Sequence, residues 1–273
     1  MEYVLLKKLI PYLDLHMHNY LIYGFNVDNL SPDAIRDRYS LNTSPVKRVD
    51  GAPPEPHAPP YAVLPIPIKT PADTLVDPVI KISDYSTSFL VSNNPTPELC
   101  TPDLYRPPEA LFNDHIIPFA ADIWTLGVNL YEVLGERVLF ETFTYDRDDI
   151  LADIINTLGP PPQRWWDTWA NRGEFFEEDG EWRKGGISRI YTPAWRPLEQ
   201  RLWDMGRGET PETCEWDVEG GELRALLALF RGILAWEPEK RWTAEDLLGS
   251  EYMVKWALPA WERQRRRQGG EAA

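Results

Sequence analysis

The stretch from Phe119 to Leu134 leaves almost no polar face. Ala120, Ile123, Trp124, Leu126, Val128, Leu130, Tyr131 and Val133 fall on nearly every side of a helical wheel. A helix of that kind cannot sit on a surface, so it is predicted to run through the centre of a helical domain. Asp122 is the exception. A carboxylate in such a helix must find donors, and it is expected to tie the helix to a neighbouring loop. Two further core helices are predicted around it. One spans 147–158 and is stopped by Gly159-Pro160-Pro161-Pro162, and the other spans 221–235. Thr243 reads as an N-cap, with Glu245 and Asp246 in the first turn of a last helix. Residues 3–19 also repeat at near-helical spacing, with Pro11 as a kink or a start. Strand signal is confined to Val79-Ile80-Lys81-Ile82-Ser83. The predicted class is therefore mainly α, an α+β domain with a small β element.

Two long stretches break this pattern. Residues 44–78 hold ten of the chain's prolines, Pro45 through Pro78, and proline removes amide donors and fixes φ. They are predicted to form a loop or an extended insert. Residues 163–220 are rich in Trp, Gly and charge, and are predicted to be irregular inserted structure packed by its tryptophans. A basic cluster, Arg263, Arg265, Arg266 and Arg267, marks residues 258–273 as a solvated tail without fixed structure.

Charge narrows the classes of partner. The 273 residues hold 43 Asp plus Glu against 28 Lys plus Arg, a formal charge of −15. A surface of that sign repels phosphate backbones, so direct nucleic-acid binding is not expected, whereas basic protein segments would be attracted. Two cysteines, Cys100 and Cys214, are too few for a disulfide framework or a cysteine-rich zinc site. No apolar run reaches the roughly 20 residues of a membrane helix. Lys7 and Lys8 interrupt the apolar N-terminal stretch, so a signal peptide is not expected either. The expected location is the cytoplasm or nucleus.

Four segments, in order, resemble the protein kinase family. Asp84-Tyr85-Ser86 after a β-run is similar to the D-F-G segment, and Tyr105-Arg106-Pro107-Pro108-Glu109 to the A-P-E segment. Asp122-Ile123-Trp124-Thr125-Leu126-Gly127 resembles the start of the kinase central helix. Glu237-Pro238-Glu239-Lys240-Arg241-Trp242-Thr243-Ala244 resembles the segment that ends in a buried arginine. Together they imply a kinase C-terminal lobe over residues 1–257, with inserts at 44–78 and 163–220, and with the N-terminal β-lobe missing. Val46-Lys47-Arg48-Val49-Asp50-Gly51, Tyr105–Glu109 and Leu158–Pro162 are similar to fungal serine/threonine kinases of the SR-protein kinase type.

Kinase chemistry is positioning and charge neutralisation around the γ-phosphate. The sequence contains no G-x-G-x-x-G loop to cover phosphates. Asp28-Asn29-Leu30 resembles the end of the catalytic loop, which makes Asn29 one magnesium ligand and Asp84 the other. Five residues before Asn29 stands Gly24, where a kinase places its proton-accepting Asp. Asn26 then takes the place of a phosphate-contacting lysine. On that register the proton acceptor is gone, the metal ligands are vestigial and no cofactor binds this chain; ATP and magnesium belong only to a complete, active kinase. The resemblance thus implies a degenerate kinase domain, acting if at all as a binding or scaffold module for Arg/Ser-rich or other basic segments. Two other readings stand beside it: the C-lobe of a truncated gene for an active serine/threonine kinase, and an unrelated helical interaction protein. Structural roles are also implied. Glu109 and Arg241 should form a buried ion pair, and Asp122 should accept backbone N–H bonds from the loop near 22–24. The family's threonine seven residues before the A-P-E Glu is replaced by Pro102, with Thr101 one earlier, so docking beside the site is expected to be altered.

Overall fold

The computed structural model describes residues 11–22, 30–39, 42–65, 79–90, 99–142, 146–183, 196–205 and 215–270. Along them run β1 (Tyr20–Ile22), α1 (Pro32–Tyr39), β2 (Thr43–Pro45), β3 (Tyr61–Val63) and β4 (Ile80–Ile82). Then follow α2 (Pro108–Leu111), α3 (Pro118–Gly135), α4 (Arg147–Leu158), α5 (Gln163–Thr168) and α6 (Leu198–Trp203). Last come α7 (Glu222–Ile233), α8 (Ala244–Leu248) and α9 (Leu258–Gly270), the last preceded by a π-helical turn at Met253–Ala257. Contacts divide the chain into two compact units: residues 1–20 with 82–263, and residues 21–81 with 264–273.

In the first unit α3 is the buried axis. Pro118 opens it, where a missing N–H costs nothing, and Glu136 closes it in the left-handed region at φ 55°. Trp124 is fully buried and stacks on Phe140 with ring centres 5.8 Å apart. α7 crosses α3 at Gly127, where a Cβ would stand 2.1 Å from Ile233 Cγ2, so only glycine allows this approach. α4 is capped by Asp146, which accepts the Asp148 N–H, and buries Ile150, Leu151 and Ile154. The capping box predicted at Thr243 forms with Asp246.

Three expectations need correction here. The described part of 3–19, from Pro11 on, is not an α-helix. It is an irregular loop, bent at Leu13 and ending in one 3-10 turn at Met17–Asn19. Its apolar residues Tyr12, Leu13 and Leu15 are buried, but Asp122 takes the amides of Tyr12 and Leu13 that a helix would use itself. Residues 163–220 are not wholly irregular either. α5, α6 and a Phe176–Trp182 bridge form within them, because Trp165, Trp169, Phe176, Leu198 and Leu202 bury themselves in the core. Asp148 on α4 anchors this insert by accepting from Trp169 Nε1 and Asn171 Nδ2, both at 2.6 Å. Finally, the basic tail is helical to Gly270, with Pro259 in the first turn and strong helix formers Arg263, Arg265 and Arg266 after it.

In the second unit the proline-rich insert is extended where it is described. β2 and β3 pair antiparallel, Thr43 against Val63 and Pro45 against Tyr61. Arg48 gathers the intervening loop through Asp50 and Glu55, at 2.6 and 2.9 Å. β1 and β4 form the only other sheet among the described residues, two strands wide. None of the helices among these residues is long and apolar enough to cross a membrane.

Candidate active site

Asp122 organises one loop. Its Oδ2 accepts the Tyr12 N–H and its Oδ1 the Leu13 N–H, both at 2.7 Å. The donors therefore lie about ten residues before the loop near 22–24 that the sequence suggested. Burial pushes the Asp122 carboxyl up to about 6, and the two backbone bonds oppose that rise. Leu13 is held at φ 57°, a left-handed conformation that costs a leucine roughly 1–3 kcal/mol. Thr101, itself buried, secures it by donating from Oγ1 to the Leu13 carbonyl at 2.9 Å. Asn129 of α3 donates to the Leu15 carbonyl. Between Thr101 and Glu109 the chain makes a 3-10 turn at Asp103–Tyr105.

The loop presents Asp14, His16 and Asn19. Asn19 donates from Nδ2 to the Asp14 carbonyl at 2.9 Å, which closes the loop and leaves its side-chain oxygen for another use. The His16 ring lies 3.5 Å from Asp14 Oδ1 and 3.4 Å from Asn19 Nδ2. Asp14 Oδ1 is buried and has no hydrogen-bond partner. Burial raises the Asp14 carboxyl above the ordinary range and Asp84 adds to this, while His16 and Asn19 pull the other way. A carboxylate with an unused buried oxygen and a raised affinity for protons is suited to accept one from a substrate.

Asp84 sits beside this loop. Ser83 donates its N–H to the Asn19 carbonyl at 2.9 Å, which joins the two segments directly. The Tyr12 hydroxyl donates to the Ser83 and Asp84 carbonyls, the latter at 2.6 Å. Burial, with Asp84 and Asp14 adding to it, pushes that hydroxyl up to about 12, so it stays a neutral donor near pH 7. Asp84 has φ 61°, and Ser86 Oγ donates to its Oδ1 at 2.7 Å. Left-handed residues at both Leu13 and Asp84, each held by several bonds, mark a site whose geometry is over-determined.

Among the described residues no three of His, Cys, Asp and Glu converge on a common metal position. The oxygens on offer are the Asp84 carboxylate and the Asn19 amide. Those two fit magnesium, which prefers hard oxygen ligands and takes one or two from protein when phosphates supply the rest.

A profile of the protein kinase domain matches residues 70–253. The chain belongs to the protein kinase family. It is 25% identical over 161 residues to a serine/threonine protein kinase of Aspergillus fumigatus, covering 56% of this chain and 35% of that protein. It is 28% identical over 172 residues to a serine/threonine-protein kinase of Saccharomyces cerevisiae, covering 63% and 33%. Over 181 residues it is 28% identical to the serine/threonine-protein kinase SRPK of Physarum polycephalum, covering 65% and 39%. The chain thus spans about a third of the length of the curated relatives it matches.

The profile match begins after residues 12–19, and that loop is joined to the matched region by its bonds to α3 and Ser83. Asp14 and Asn19 stand five apart, the separation of the Asp and Asn in the kinase catalytic loop H-R-D-x-x-x-x-N. Sequence reasoning singled out neither. The signal was present, but the helical spacing of 3–19 concealed it and Asp28-Asn29-Leu30 supplied a rival. Gly24, Asn26 and Asn29 lie outside the described residues.

Glu109 and Arg241 form the expected buried ion pair. Arg241 Nη1 and Nη2 donate to the two Glu109 oxygens at 2.8 and 2.6 Å, with both side chains fully buried. Its other three N–H groups reach the Ala120, Ala235 and Trp236 carbonyls at 2.9, 2.9 and 3.0 Å. All five donors of the guanidinium are used, the condition under which a buried arginine is tolerated. The ion pair locks the A-P-E-like segment to the start of α3 and to the turn after α7.

Proposed function

We propose that residues 12–19 and 83–86 form the chemical half of a serine/threonine protein kinase site. Asp14 accepts the proton of the substrate hydroxyl. Asn19 and Asp84 hold magnesium, and His16 stands two after the base, where kinases place a lysine. The single observation behind this reading is the pair of bonds at Asn19: its amide on the Asp14 carbonyl and its own carbonyl on Ser83. Magnesium-bound ATP, when present, supplies the phosphoryl group and the metal's charge neutralisation. The sequence contains no G-x-G-x-x-G, so the nucleotide grip must come from elsewhere, and this chain by itself transfers no phosphate. The net charge of −15 and the likeness to an SR-protein kinase favour Arg/Ser-rich or other basic segments as the protein substrate. Cys100 is free and exposed, which suits the reducing cytoplasm or nucleus.

A second reading, a lobe that binds basic partners without transfer, is favoured by His16 in place of the lysine. One experiment separates the two. The small lobe of an active kinase is joined ahead of residue 1, and phosphorylation of an Arg/Ser-repeat peptide is measured with ATP and magnesium. The chimera should turn over, the chain alone should not exceed a heat-denatured control, and Asp14→Asn in the chimera should lower the rate about 10²–10⁴-fold. A folded but inactive chimera would establish the binding reading. An active chimera indifferent to Asp14→Asn would remove Asp14 as the base.

A further inference from the structure

Ser86 stands where the D-F-G pattern has glycine, and it makes a bond that glycine cannot. Its Oγ donates to Asp84 Oδ1 at 2.7 Å, from the middle of the exposed 3-10 turn Tyr85–Thr87. The Asp84 backbone is fixed independently at φ 61°, and the Tyr12 hydroxyl holds its carbonyl. The Tyr12 ring also meets the Tyr85 ring edge to face at 5.3 Å. With the backbone pinned and one carboxylate oxygen occupied, what remains to be set is which oxygen meets a cation. No bond to Asp84 Oδ2 occurs among the described residues.

We propose that Ser86 is a positioning residue that makes Asp84 a one-oxygen ligand and thereby favours magnesium over calcium; this rests on the reading of Asp84 as a metal ligand. The physical basis is the difference between the two ions. Magnesium demands near-octahedral geometry at about 2.0–2.1 Å, which the narrow bite of a two-oxygen carboxylate distorts. Calcium accepts six to eight oxygens at about 2.3–2.6 Å and readily takes both oxygens of one carboxylate. A hydroxyl bonded to Oδ1 competes with a cation for that oxygen and makes Oδ2 the stronger ligand. Partners that orient ligating carboxylates typically change metal affinity about 10–100-fold when removed.

The test uses the full chain with Mn²⁺, Mg²⁺ and Ca²⁺ as probes, in the presence of tripolyphosphate, which supplies the oxygens that magnesium takes from phosphate. Mn²⁺ binding is followed by electron paramagnetic resonance, and Mg²⁺ and Ca²⁺ are measured by competition against it. Asp84→Asn should abolish Mn²⁺ binding, which checks the underlying reading separately. Ser86→Ala should weaken Mn²⁺ and Mg²⁺ about 10-fold or more while Ca²⁺ is unchanged or strengthened, and Ser86→Thr should restore the original preference. Equal losses for all three ions in Ser86→Ala, or affinities unchanged from the parent chain, would overturn the role of Ser86. Mn²⁺ binding that survives Asp84→Asn, or its absence in the parent chain, would overturn the reading of Asp84 and the role of Ser86 with it.

Discussion

Asp122 shows how one residue can join architecture to chemistry. It sits on the buried helix, yet both its oxygens are spent on the amides of Tyr12 and Leu13, two residues before Asp14. That arrangement fixes the left-handed Leu13 and so the direction in which Asp14 leaves the loop. It also gives stability a dependence on pH. The folded carboxyl is raised to about 6, above its ordinary value of 3.8. A raised value means that the folded chain binds the proton more tightly than the unfolded chain. The contribution is therefore full below about pH 4 and is lost as pH rises through 6, a swing of about 3 kcal/mol. Asp122→Asn cannot titrate, and its amide leaves one of the two N–H groups unpaired, at about 1–3 kcal/mol. Urea unfolding of the two proteins should show the parent's advantage over Asp122→Asn to be about 3 kcal/mol larger at pH 4 than at pH 7. A pH-independent difference between them would show that Asp122 is not buried as described.

At the scale of elements, the long helices were legible because their periodicity is set by the core they build. The stretches 119–134, 147–158 and 221–235 each became a helix with ends within two residues of the prediction. The loop at residues 12–19 was illegible for the complementary reason. Tyr12, Leu13 and Leu15 are buried while Asp122 and Asn129 of α3 hold their backbone, and a buried loop leaves an apolar signature that helical spacing mimics. The tail misled in the opposite sense: a charged run was taken for a solvated coil, although arginines are good helix formers. α3 and α7 give a sharp check on the packing. Gly127→Ala places a methyl 2.1 Å from Ile233 Cγ2 and should destabilise the fold by about 1–3 kcal/mol. Ile233→Ala alone leaves a cavity and should cost about 2–5 kcal/mol. The double variant should be more stable than the sum of the two losses implies, because the new methyl enters the space Ile233 vacated. Strict additivity in thermal unfolding would mean that the helices do not cross at Gly127.

For the whole molecule, the contrast is between a braced interior and a charged exterior. The interior cations are matched: Arg241 by Glu109, and Arg201 by Asp153 at 2.6 Å together with the Leu139 and Arg196 carbonyls. Exposed acids such as Glu177, Glu178, Asp179 and Glu181 carry part of the acid excess outside. A net charge of −15 makes attraction for basic segments long in range, and it makes that attraction sensitive to salt. The Debye length falls from about 10 Å at 0.1 M to about 3 Å at 1 M, so binding steered by the general field should fade over that interval, while a bond formed inside a desolvated pocket should persist. Fluorescence titration of an Arg/Ser-repeat peptide into the full chain should therefore give an affinity that drops about tenfold or more between 0.1 M and 1 M sodium chloride. A peptide of equal charge with lysine for arginine should bind almost as well if the field alone is responsible, and clearly more weakly if carboxylates grip guanidinium groups in pairs. An affinity indifferent to salt and to this exchange would assign the attraction to apolar contact and remove the charge of the chain from the account of peptide binding.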